Sequence, residues 1–200
     1  MGADAKDKYV DAALQIVAEM GLDGLSLREV ARRLGVSHQA PYRHFPSREH
    51  IVAVLIRRSF VEFSQCLLAA EKLDAPFAHL RSMGHAYLDF AQGRPLQYHL
   101  MFGTLMPQSD AHVEMRTQST ASFDILLQAI AAIRLNQSES AEAADLHQDA
   151  MFVWSTLHGF VELQRKMGDR KEPVDLSGYG MRDALFEKVE LGLRKPKSAA

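Results

Sequence analysis

The chain carries one cysteine, Cys66, in 200 residues. A single thiol excludes an internal disulfide framework and fits a reducing compartment. There is no run of eighteen apolar residues and no N-terminal apolar core of signal-peptide type. Neither secretion nor membrane spanning is therefore expected, which places the chain in the cytoplasm. Alternating strand-like stretches are absent, and the twelve glycines and seven prolines fall between runs of helical period. That pattern predicts an all-α fold. Catalytic signatures are missing too: no nucleophile motif, phosphate loop or glycine-rich cofactor turn is present. Histidines 79, 85, 99, 112, 147 and 158 make no H-x-x-x-H pair with a carboxylate on one face. No metal site and no cofactor are expected. An all-helical enzyme built on His and Asp/Glu of the second half is the weaker reading, and the chain is expected not to be an enzyme.

A large charge excess is lacking as well, since the formal net charge is −2. The charge is unevenly spread. The first sixty residues hold nine Lys/Arg against seven Asp/Glu and three of the nine histidines, leaving fourteen against eighteen for the rest. A local basic face matters more for nucleic-acid binding than the total.

What is present concentrates between Leu25 and Arg48. Ser26 and Glu29 form an S-x-x-E capping box that starts a helix at Leu27. Leu27, Val30, Ala31 and Leu34 then lie on one helical face, and Gly35 supplies the left-handed residue that ends it. Ser37 is placed to cap a second helix running to about His44, with polar and aromatic side chains where a core helix would have leucines. A three-residue glycine-containing gap between two short helices is the turn of a helix-turn-helix, whose second helix enters the major groove. Tyr9, Ala12, Ala13, Ile16, Val17 and Met20 form a preceding amphipathic helix stopped by Gly21. DNA binding is expected.

The order of N-terminal helix, "LSLREVARRLGVS" and "PYRHFPSREHIV" resembles the tetracycline-repressor (TetR) family. Gly35-Val36-Ser37, Tyr42, His44-Phe45 and Ser47-x-Glu49 stand at the family's spacing, and Trp154-x-x-x-His158-Gly159 is similar to the C-terminal domain of one subgroup. The resemblance implies a regulator, usually a repressor, with domains at 1–48 and 49–200. For base edges the candidates are Arg28, whose fork suits guanine, and Gln39, which suits adenine, followed by His38 and Arg43. For phosphates, Ser37, Tyr42, His44 and Arg48 occupy positions where TetR-like proteins meet the backbone. Helix N-termini at Ser26 and Ser47 add N–H groups. Arg32, Arg33 and Arg43 equally suit a solvated face. Pro41 departs from the family's usual aliphatic residue: its missing N–H forfeits an early helical bond and its ring crowds the Ser37 carbonyl, tilting or tightening the helix start.

Beyond Arg48 the periodicity predicts helices near 47–70, 76–93, 95–106, 110–134, 141–167 and 181–194, about nine in all. Residues 75–130 are rich in aromatics and methionine, which line adaptable apolar pockets and also fill ordinary cores. The family resemblance favours an inducer pocket formed by Met83, Tyr87, Phe90, Tyr98, Met101, Phe102, Phe123 and Leu127 for a small, largely apolar ligand. Tyr87, Tyr98, His99 and Gln128 would orient that ligand. Two half-sites require two recognition units, so a C2 homodimer on inverted-repeat double-stranded DNA is expected. Trp154, His158, Gly159, Val161, Phe186 and Val189 are its candidate interface residues, the alternative being that they pack only within the chain. A DNA-binding regulator with a filled core and no small-molecule ligand also remains open.

Overall fold

In the computed structural model the described residues are 2–103, 107, 112–137, 143–168 and 180–194. They form eight α-helices and two 3-10 turns, with no strand among them. The helices are α1 (Gly2–Met20), α2 (Leu27–Leu34), α3 (Arg48–Leu68), α4 (Pro76–Gly93), α5 (Pro95–Phe102), α6 (Val113–Asn136), α7 (Ala143–Gly168) and α8 (Met181–Leu193). The 3-10 turns are Leu22–Gly24 and Pro41–Arg43. The loop expected between Gly168 and Gly180, and the starts expected at 110 and 141, lie outside the described residues.

Local signals explain most boundaries. Ser26 Oγ accepts the Glu29 N–H at 3.1 Å, the first half of a capping box. The second half is replaced, because Glu29 turns its carboxylate to Arg32. Gly35 adopts φ 66° and closes α2: the Gly35 N–H reaches the Arg32 carbonyl and the Val36 N–H the Ala31 carbonyl. This 6→1 and 5→2 pair is the Schellman arrangement. Gly21, at φ 71°, lets the chain leave α1 sharply. Pro76 and Pro95 stand first in α4 and α5, where a missing N–H costs nothing.

The chain divides into two compact units, residues 1–62 with 96–120, and residues 63–95 with 121–200. Neither unit follows a simple cut at residue 48, because α5 and the first turns of α6 belong with the N-terminal helices. The core of the first unit holds Ile16, Leu25, Val30, Phe45, Ile51, Leu55 and Ile56, each at most 1% exposed. In the second, α4 packs on α7 and α8. Gly84 makes that approach possible: a Cβ there would stand 2.2 Å from the Phe186 ring. Arg134 of α6 and Asp149 of α7 form a largely buried ion pair, with Nε to Oδ2 at 2.8 Å.

Candidate nucleic-acid interface

The recognition segment is not an α-helix. Residues 38–40 form a turn and Pro41–Arg43 a single 3-10 turn. Pro41 supplies the reason. An α-helix would need the residue-41 N–H to reach the Ser37 carbonyl, and proline has none. The Ala40 N–H takes that carbonyl instead, at 2.9 Å, and the i→i+3 pattern continues with Arg43 on Ala40 and His44 on Pro41. The 3-10 turn has no side-chain cap, so the cap expected of Ser37 is not formed. Among the described residues there are thus eight α-helices where about nine helices were expected, the recognition helix being replaced by this turn.

Pro41 itself is buried, and its neighbours point outward. Its ring is packed inside, and what it contributes to the segment is backbone shape. Ser26, Arg28, Ser37, His38, Gln39, Tyr42, Arg43, His44 and Arg48 are all exposed. These side chains differ in what already occupies them. Arg28 and Arg43 have no carboxylate partner among the described residues. The His44 ring leans on Tyr9 of α1, centroids 5.3 Å apart, which limits where it can reach. Tyr9 also meets Phe45 edge-on at 6.4 Å. That contact anchors the end of the recognition turn to α1.

Arg48 has a role that motif spacing did not reveal. Its Nε donates to the Leu25 carbonyl at 2.9 Å and its Nη2 to that of Leu22. The guanidinium thereby ties the start of α3 to the chain entering α2. The same is true of the doubly basic Arg32-Arg33. Arg33 donates to both oxygens of Glu19, at 2.9 and 2.7 Å, joining α2 to α1. Arg32 grips Glu29 at 2.7 and 2.6 Å. These hydrogen bonds hold the Glu19 and Glu29 carboxyls below the usual range. Arg28, His38, Gln39, Tyr42 and Arg43 are exposed beside these paired arginines. Ser47 Oγ accepts the His50 N–H at 3.4 Å and so caps α3, as its position predicts.

The other expected residues lie in two places. Met83, Tyr87 and Phe90 are buried in the second unit, where Phe63 meets Tyr87 at 5.3 Å and Phe90 at 5.2 Å. Phe123 and Leu127 are half-buried there, and Phe123 lies against Trp154 at 5.1 Å. Tyr98 and Met101 are buried in the first unit, where Phe102 meets Phe60 edge-on at 5.9 Å. Of the interface candidates, Val161, Phe186 and Val189 are 7%, 4% and 3% exposed within one chain. They are buried by packing within the chain. Trp154, His158 and Gly159 are half-buried. A Cβ at Gly159 would meet nothing within 4 Å, so its glycine serves no close contact with the described residues of the chain. The exposed apolar side chains of α7 and α8 are Met151 (52%), Phe152 (43%), Leu163 (57%), Met181 (37%) and Leu191 (62%). Hydrophobicity alone cannot separate Met151, Phe152, Leu163 and Leu191 from the core residues one or two positions away.

A capped helix, a tight turn and a short outward-facing segment, followed by helical units, define a helix-turn-helix regulator. The family described as "Bacterial regulatory proteins, tetR family" matches residues 10–55, and "Tetracyclin repressor-like, C-terminal domain" matches residues 80–177. The chain belongs to the TetR family and is a DNA-binding transcriptional regulator. It is similar to the uncharacterized HTH-type transcriptional regulator YobS of Bacillus subtilis (strain 168), at 26% identity over 82% of this chain and 80% of that one. Its fold matches a Rhodococcus sp. RHA1 protein of unknown function (TM-score 0.72, 24% identity, 92% and 94% of the two chains). A bacterial regulatory protein of the tetR family from Rhodococcus RHA1 also matches (TM-score 0.67, 19% identity, 95% of each chain). No described helix is long and apolar enough to cross a membrane, and no described group of three or more His, Cys, Asp or Glu is placed to hold a metal ion.

Proposed function

We propose that this chain is a homodimeric repressor that binds an inverted-repeat operator in the cytoplasm and leaves it when a small, largely apolar ligand binds. The observation that carries the DNA half is the contrast among its arginines. Arg32, Arg33 and Arg48 are engaged within the protein, while Arg28 and Arg43 stand exposed without carboxylates beside Gln39 and Tyr42. Arg28 and Gln39 read base edges, with His38 and Arg43 beside them; Ser37, Tyr42 and His44 meet phosphates. Arg48 acts chiefly by positioning, and the Ser26 end of α2 adds its backbone N–H groups.

Functionally, residues 1–48 read DNA and residues 49–200 sense and dimerise. The ligand is received in the second unit, with Met83, Tyr87, Phe90, Phe123 and Leu127 as its apolar surroundings. Tyr98, Met101 and Phe102 belong to the other unit and are not needed for this reading. The edge-to-face packing of Phe63 on Tyr87 and Phe90 favours a second reading, in which the core is filled and the regulator answers to no small molecule. The dimer forms through α7 and α8 as a four-helix bundle, using Phe152, Leu163 and Leu191 around Gly159 and Trp154. The Trp-x-x-x-His-Gly run marks the corresponding subgroup. Sedimentation of the wild type and of Leu163→Asp/Leu191→Asp, together with salt-dependent binding to duplex DNA, tests this account. A dimer that the double variant dissociates, with DNA affinity lost alongside, is expected. A wild-type monomer that binds DNA equally well contradicts it.

A further inference from the structure

Within the first unit a cavity of about 310 Å³ opens beside the recognition turn, with Lys6, His44, His50, Arg57 and His112 around it. His112 precedes α6 and its side chain is only 6% exposed. Its Nε2 is buried without a hydrogen-bond partner, and so is Arg57 Nε. Glu49 Oε1 lies 3.7 Å from that His112 nitrogen, and Glu114 Oε2 lies 3.7 Å from Arg57 Nε. Both are beyond hydrogen-bond reach, and Glu114 is 85% exposed to water. The His50 ring meets His112 edge-on at 4.8 Å, and its Nδ1 lies 2.9 Å from Ser47 Oγ. Ser47 Oγ already accepts the His50 backbone N–H, so its own O–H can donate to Nδ1. With that donation the ring proton stands on Nε2.

Buried donors left without acceptors are costly, and natural folds keep them where a ligand completes them. Here Arg57 Nε is a donor, His112 Nε2 is one in the tautomer that carries its proton there, Lys6 and Arg57 are cations, and Phe45, Ala53 and Val54 form apolar wall. We infer that this cavity binds a small organic carboxylate with a compact apolar body. Its oxygens accept from Arg57 Nε, His112 Nε2 and His50 Nε2, and its apolar part lies against Phe45 and Val54. Inorganic phosphate offers the same acceptors but nothing for the wall. A carboxylate held here sits beside His44, at the end of the DNA-facing turn, and weakens DNA binding by adding negative charge. This goes beyond the ligand proposed for the second unit, since the two sites share no residue.

The test uses the full chain, with histidine-ring NMR signals followed during titration with benzoate, hexanoate and inorganic phosphate at constant ionic strength. Benzoate should shift His50 and His112 saturably with a midpoint in the millimolar range or below, and phosphate should bind more weakly. Arg57→Met and His112→Phe should each weaken benzoate by about tenfold, the loss of one charge-assisted hydrogen bond. If His112→Phe fails to fold, His112→Gln serves, and wild-type saturation alone still decides whether the cavity binds. Absence of saturable shifts with any probe overturns the inference, as does unchanged benzoate binding in folded variants. Duplex DNA should weaken benzoate binding in turn, because the coupling is reciprocal. Phosphate binding more tightly than benzoate assigns the cavity to a phosphate and also overturns the inference.

Discussion

Helix α2 and the segment after it, residues 37–44, are neighbours of equal length with opposite uses of their polar side chains. In α2 the cap, the Schellman ending and the buried face of Leu27, Val30 and Ala31 all agree, and its Arg32 and Arg33 are paired with Glu29 and Glu19 at the surface. In 37–44 the backbone is held by only a few i→i+3 bonds and by Phe45, while Ser37, His38, Gln39, Tyr42 and Arg43 point outward. One element stabilises the unit and the other is displayed by it. Basic residues close in sequence therefore divide by what they touch, and motif position alone cannot tell a structural arginine from a reading one.

The sharpest way to break this contrast is to remove the anchor. Phe45 is 1% exposed and holds the displayed segment against α1. Phe45→Ala should cost about 3–5 kcal/mol in urea unfolding, the usual range for a buried phenylalanine, with DNA binding lost as a consequence. Arg28→Ala and Gln39→Ala should do the reverse. Each should lose about 1–3 kcal/mol of base discrimination while urea unfolding stays within about 0.5 kcal/mol of wild type. A large stability loss in either would move it to the structural side. Ser26→Ala should lower stability by about 1 kcal/mol through the lost cap while leaving the preferred sequence unchanged. Pro41→Leu should leave stability equal or raise it, and should alter operator preference by letting the turn wind into an α-helix. Identical sequences selected by both proteins would remove shape from the account.

The smallest effect concerns acid. Glu19 and Glu29 have carboxyl pKa values lowered in the folded chain by Arg33 and Arg32. A lowered folded pKa means the ionised form favours folding. Its contribution is present above the ordinary carboxylate value and is lost as pH falls through the folded one. The α1–α2 tether should thus be indifferent to pH near neutrality and weaken only below about pH 4.5. Thermal melts of Glu19→Gln, flat against wild type in acid and slightly lower at neutral pH, check it.

The helices were legible because each start or stop has a residue with one mechanism: Ser26 and Ser47 as caps, Gly35 as the left-handed ending, Pro76 and Pro95 as first residues. Pro41 was legible as a perturbation, yet its full result, one 3-10 turn in place of a helix, required knowing which carbonyl Ala40 takes. Exposure of the nine DNA candidates followed from their polarity. The role of Arg48 did not, because its acceptors are backbone carbonyls that any residues at 22 and 25 would provide. The burial of Phe186 and Val189 within the chain was not legible for a related reason. Apolar residues on an outer helix look alike in sequence, and only the opening at Gly84 shows that Phe186 turns inward.

The central claim is that the displayed segment with Arg28 reads DNA while the other arginines hold it in place. A randomised-site selection on duplex DNA, run with wild type, Arg28→Ala and Arg33→Ala, measures this directly. The account predicts that wild type enriches an inverted repeat with half-sites about 34 Å apart. Arg28→Ala should lose preference at one position in each half-site, and Arg33→Ala should select the wild-type sequence. Enrichment of no sequence by wild type, or the same changed sequence from both variants, would contradict it.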